Sequence, residues 1–133
     1  MVQYEKDLLL KDLCARLPYS VKGEKYTIRM DGEFVPLIDV EIITAEDIIT
    51  LNGCPGYMIK PYLFPMSSMT EEQKKEYRKA CDLDMTILEN RPMKGEPFPA
   101  MYNSQDWLDA NHFDYRGLIP MGLAIDATGQ NIY

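Results

Sequence analysis

The sequence predicts an α+β domain: a small, curved antiparallel sheet around a hairpin at residues 25–43, with three or four helices packed on it. Three observations carry this expectation. A helical apolar period over the first residues gives way to a period of two beyond Tyr19. The dipeptide Asp31-Gly32 divides that alternation. Helix-start signals then recur at Thr44, Thr70 and Ser104. The 133 residues suit one core, so residues 1–133 are expected to form a single domain. A chain of this length buries roughly two-thirds of its unfolded surface and needs no disulfide or metal to fold.

From Tyr4 to Leu17, Tyr4, Leu8, Leu9, Leu13, Arg16 and Leu17 fall near one helical face. Lys6, Asp7, Lys11 and Asp12 fall mostly on the other, and Pro18 stops the helix. Tyr26, Ile28 and Met30 alternate with Lys25, Thr27 and Arg29, as in a half-buried strand. Asp31-Gly32 suits a two-residue hairpin, whose turn positions need positive φ. Phe34, Pro36, Ile38, Val40 and Ile42 share the next strand face, and Pro36 makes that strand an edge strand or interrupts it. Thr44-Ala45-Glu46-Asp47 opens a helix of about two turns, ending at Asn52-Gly53. Tyr57 to Phe64 is extended, with a break expected at Pro61. Thr70 and Gln73 form a capping box for a helix that ends near Asn90. Residues 92–99, rich in Pro and Gly, make a loose surface connection. A short helix from Ser104 toward His112 and a closing strand-like segment from Leu118 to Ala127 complete the chain.

The net charge of −7 argues against a generic nucleic-acid binder, because phosphate contacts need clustered Lys and Arg. It equally disfavours an anionic membrane surface. No apolar run approaches the ~20 residues of a membrane span, and the first residues lack a signal-peptide pattern. Cys14, Cys54 and Cys81 lie far apart, which fits reduced, partly buried thiols in a cytoplasmic protein. A zinc site would need all three with the single histidine, His112, at spacings that give it no support, so no metal and no cofactor are expected.

The densest set of chemically capable side chains is Asp106, Asp109, His112, Asp114, Tyr115 and Arg116. His112 has the ordinary pKa that suits proton transfer near neutrality. Asp109, three residues earlier, would orient the imidazole if the helix extended that far. Catalytic candidates are therefore His112, Asp109, Asp114 and Arg116. The competing assignment makes His112 a helix end and pairs Arg116 with a nearby Asp to fix the turn. Ser67 and Ser68 precede the capping box without a nucleophile elbow. Cys54 sits in a glycine-rich turn that lacks the lysine of a phosphate loop. Asp82 and Asp84 point to different helical faces and read as a solvated acidic surface. The Tyr- and Met-rich second half suits core filling and also an interaction surface.

Three stretches carry a resemblance. They are Lys11-Asp12-Leu13-Cys14-Ala15-Arg16-Leu17-Pro18-Tyr19, the run Lys60-Pro61-Tyr62-Leu63-Phe64-Pro65-Met66-Ser67-Ser68-Met69-Thr70-Glu71-Glu72, and Trp107-Leu108-Asp109-Ala110-Asn111-His112-Phe113-Asp114-Tyr115-Arg116-Gly117-Leu118-Ile119. With them the chain resembles a group of small proteins of gut Bacteroides, their prophages and related bacteriophages. The resemblance implies a bacterial or phage origin and an intracellular setting, and it brings no catalytic residue with it. Phe64 stands where a basic residue is expected in the group, which weakens an anionic-ligand role for that loop. Taken physically, the same runs coincide with junctions between elements, where packing alone can demand them.

The leading functional expectation is a non-catalytic accessory protein, phage- or mobile-element-associated, that works through contacts with a protein partner. A small hydrolase using His112 with Asp109 or Asp114 is the alternative. A second alternative is an acidic DNA mimic that binds a basic host protein.

Overall fold

Lys22–Ile28 (β1) and Phe34–Ile42 (β2) form the expected hairpin, antiparallel throughout. The computed structural model describes residues 2–28, 32–54, 56–89 and 104–133. Asp31, and with it the expected two-residue turn, and the 92–99 connection therefore lie outside the described residues; Gly32 has a φ of +88°, and the last described pair of the hairpin is Ile28 with Phe34. Helix α1 (Gln3–Arg16) precedes the hairpin, and Pro18 follows it in a 3-10 turn, Leu17–Tyr19. Helix α2 (Ala45–Gly53) comes next, with Thr44 and Asp47 forming a reciprocal capping box. Strand β3 (Tyr57–Pro65) leads to helix α3 (Glu71–Glu89), whose Thr70–Gln73 box forms as the sequence predicts. Helix α4 (Ser104–Ala110) and the two-residue strands β4 (Phe113–Asp114) and β5 (Ile125–Asp126) follow.

The architecture is α+β, with four α-helices and a five-stranded sheet among the described residues. The sheet is mixed rather than antiparallel. β3 lies antiparallel to β1, but β4 and β5 join β3 in parallel. The reason is topological: α3 and α4 carry the chain away between β3 and β4, and such a crossover is what a parallel neighbour needs. The closing segment is accordingly mostly turn, with β5 its one short strand.

Pro61 does not break β3. It pairs with Gly23 at the limit of the β1 contact, and the β5 contact begins at the next residue, Tyr62. The strand thus runs through the proline while its ladder passes from β1 to β5. Gly23 is needed there for space: a Cβ would lie 2.8 Å from the Lys60 carbonyl oxygen and 3.2 Å from the Pro61 Cα. Both atoms are backbone, so Gly23→Ala is expected to destabilise the fold by about 1–3 kcal/mol. A urea titration should show this as a lower midpoint at unchanged slope.

The burial of β1 also departs from the alternation. Val21, Gly23 and Lys25 are buried, whereas Tyr26 is half-buried. Register shifts on either side of Lys25 mark an irregularity in the pairing with β2. Lys25 is held there by Asp47 at 2.9 Å and Glu41 at 3.1 Å. Burial alone would lower the Lys25 pKa, but the Asp47 and Glu41 carboxylates outweigh it and hold the ammonium above its ordinary value.

Two apolar clusters support this frame. Leu9 and Leu13 of α1 pack with Ile48 and Leu51 of α2, Ile59 and Leu63 of β3, and Leu118 and Leu123. Trp107, Leu108 and Phe113 form the other cluster with Ala80 of α3. Within it Trp107 stacks on Phe113 at 5.6 Å and meets Tyr77 at 5.7 Å. This second cluster is built on the junction of α4 and β4, where the candidate side chains of the sequence stand.

Candidate functional site

Helix α4 ends at Ala110, and His112 takes the left-handed conformation at φ +63°. Asp109 and His112 therefore do not share a helical face, and the expected orienting pair is not formed that way. Their link is a backbone bond, from the His112 amide to the Asp109 carbonyl at 3.2 Å. The Asp109 carboxylate instead accepts from the Tyr115 hydroxyl at 2.8 Å. Burial raises the Asp109 pKa above the usual carboxylate value, against the Tyr115 hydrogen bond and the charges of Arg16 and Arg116.

Asp114 is committed to the backbone. One carboxylate oxygen accepts from the Leu118 amide at 2.8 Å and the other from the Ile119 amide at 2.9 Å. The side chain thus fixes the turn that follows β4, a task suited to an acid at such a junction. Arg116 reaches back across the sequence and donates to Asp12 at 2.8 Å.

That contact introduces two residues the sequence reading did not select. The helical period places Asp12 on the solvent face of α1, yet it is fully buried, as is Arg16. Arg16 Nε donates to Asp12 at 2.9 Å, stands 4.0 Å from Asp109, and the guanidinium also donates to the Phe113 carbonyl. Both guanidiniums lie over the Tyr115 ring, with Arg16 Cζ 5.3 Å and Arg116 Cζ 4.5 Å from its centroid. The Tyr115 phenol is pushed up to about 12 by burial and by its bond to the Asp109 carboxylate. The result is a buried network of alternating charge that ties α1 to the α4–β4 junction. The signal for it was present: Asp12 and Arg16 are four residues apart, the spacing of a helical ion pair.

His112 stands beside this network. Its ring stacks on Tyr133 with centroids 3.6 Å apart and planes within 10°. The Tyr133 hydroxyl accepts from the Lys22 amide at 2.8 Å and donates to the Tyr62 carbonyl at 2.8 Å. The Lys22 ammonium donates to the Ile132 carbonyl at 2.8 Å, which holds the same segment down. His112 Nδ1 and Arg16 Nη1 are buried without a hydrogen-bond partner. Burial, with the positive charges of Arg16 and Lys22, brings the imidazole down to about 4. At neutral pH the ring is therefore uncharged and covered.

The remaining candidates are peripheral. Ser67 is exposed, and Ser68 donates to the Pro65 carbonyl at 2.6 Å, as a helix-entry serine does. Cys14 and Cys54 are exposed rather than partly buried, and Cys81 is half-buried. Among the described residues, no three His, Cys, Asp or Glu side chains are placed to hold a metal ion. The side chains of Asp82 and Asp84 lie outside the described set. No helix among the described residues is long and apolar enough to cross a membrane. Comparison with protein-family models, curated proteins and solved structures finds no match to this chain.

Proposed function

We propose that this chain is a non-catalytic accessory protein that acts by binding another protein, and that its setting is a bacterium or a bacterial virus, as the resemblance in its three sequence runs implies. The observation that carries the contact reading is the outer edge of β2. Among the described residues β1 is its one strand neighbour, and we take the opposite row of its backbone donors and acceptors as the contact edge. Val40 and Ile42 expose 42% and 48% of their surface on this nine-residue strand, enough to seat a partner's side chains. An added strand from a partner would satisfy the edge amides, with these two side chains supplying specificity.

The internal commitments of the polar residues support the same reading. Asp109, Asp114 and Arg116 each hold another part of the fold, and the His112 ring is covered by Tyr133. A hydrolase would require those groups to turn toward a substrate. Glu24, Glu41 and Asp47 are likewise engaged within the sheet and α2, which draws acids away from a DNA-like face.

The test is a pull-down from bacterial and phage-infected lysates with size exclusion in parallel, using the native chain and the Val40→Lys, Ile42→Lys double variant. A specific partner retained by the native chain and lost by a variant of unchanged thermal midpoint is the expected result. A strict monomer that retains no partner, or a partner held equally by both chains, would overturn the assignment to this edge.

A further inference from the structure

A cavity of about 230 Å³ opens on the sheet beside β1 and β3, lined by Tyr26, Met58, Lys60 and Gly122. Tyr26 pairs with Met58 and Glu24 with Lys60 across the two strands, so these side chains share one face. Met58 is buried and offers an apolar, polarisable floor. Lys60 is half-buried, with its ammonium 5.8 Å from the Tyr26 ring centroid.

The chemistry turns on Glu24. The register sets this carboxylate opposite Lys60, where the two would ordinarily pair. Both of its oxygens are instead engaged, one by the Tyr26 hydroxyl and one by the Tyr62 hydroxyl. Lys60 lines the cavity beside them. Gly122 lines it as well, at φ +76°, in a turn closed by its amide on the Ile119 carbonyl at 3.0 Å. A Cβ at that position would meet nothing within 4 Å, so this side of the cavity is open.

We propose that the cavity binds a small monocarboxylate with an apolar body, its acid on Lys60 and its body against Tyr26 and Met58. The volume falls below the ~300–1,000 Å³ of drug-sized sites, which restricts the ligand to a single ring or a short branched chain. An ammonium–carboxylate contact is a charge-assisted hydrogen bond, stronger than a neutral one. A neutral ligand would cover the ammonium without pairing it, at the cost of its hydration. A cation would meet it directly.

Benzoate and benzyl alcohol are the probes, titrated against the full chain and followed by NMR at the Met58 methyl group. Saturable binding of benzoate is expected, with benzyl alcohol weaker by roughly tenfold or more. Lys60→Met keeps the apolar stem and should weaken benzoate by roughly tenfold to a hundredfold, whereas Lys60→Arg should retain it. Equal binding of both probes, benzoate binding indifferent to Lys60→Met, or no saturable benzoate binding would each overturn the proposal. Should Lys60→Met fail to fold, the comparison of the two probes on the native chain still decides it. The β2 edge takes no part in this test, so its outcome is independent of the partner-binding reading.

Discussion

Asp12→Ala should cost about 3–5 kcal/mol of folding stability, a large share of the roughly 5–15 kcal/mol available to a domain. The substitution removes the acceptor of both Arg16 Nε and Arg116 Nη1. Arg16 is fully buried, so its charge would be left inside the protein with the Phe113 carbonyl and a distant Asp109. An uncompensated buried charge is what makes breaking such a pair expensive, whereas removing the whole pair often is not. Asp12→Leu combined with Arg16→Met should therefore be less damaging than the sum of the single changes. Urea unfolding followed by the fluorescence of Trp107, the single tryptophan, would measure both. A loss below about 1 kcal/mol for Asp12→Ala would place the network among energetically idle surface pairs.

Acid should weaken the fold through His112. Its folded pKa of about 4 lies below the ordinary value of 6.5. Between these values an unfolded chain binds a proton at residue 112 that the folded chain refuses, so stability falls as pH is lowered through this window. Carried fully from neutrality to pH 4, the contribution amounts to about 3 kcal/mol. Asp109 works in the other direction, because its raised pKa makes the folded state the better proton acceptor at that carboxylate. Asp47 is lowered from 3.8, so its own contribution is lost at still lower pH. The difference between the native chain and His112→Asn isolates the imidazole, since asparagine tolerates the left-handed backbone at this position. Stability of the variant should change less between pH 6.5 and 4, and parallel pH profiles would show that His112 does not titrate as its surroundings require.

The elements were legible where local chemistry fixes them. The Thr44 cap, the Thr70–Gln73 capping box, the hairpin and the arrest of α1 before Pro18 follow from residues within a few positions of one another. Pro36 marks β2 as an edge or interrupted strand, and among the described residues β2 stands at the edge of the sheet. What failed depends on distant partners. Lys25 looked like a solvent residue because Asp47, which makes its burial tolerable, lies on a helix beyond the hairpin. Asp12 looked exposed because its neighbour Arg116 stands 104 residues away. The cluster around His112 stands out in the sequence by its density of functional types, but its purpose does not. The sequence gives no sign that Asp114 turns to the amides ahead of it or that Tyr133 returns to cover the imidazole.

The same separations have a consequence in time. Arg16 bonds the Phe113 carbonyl 97 residues away, and the Lys22 amide meets the Tyr133 hydroxyl 111 residues away. The β1–β2 hairpin closes a turn of a few residues, whereas these contacts close loops spanning most of the chain and carry a larger entropic cost. Folding is accordingly expected to begin with the hairpin and to end when the ionic network locks α1 against the α4–β4 junction. Interactions formed that late are largely absent from the transition state. The network thus acts less as a guide for folding than as a brake on unfolding, setting how long the native state persists once formed.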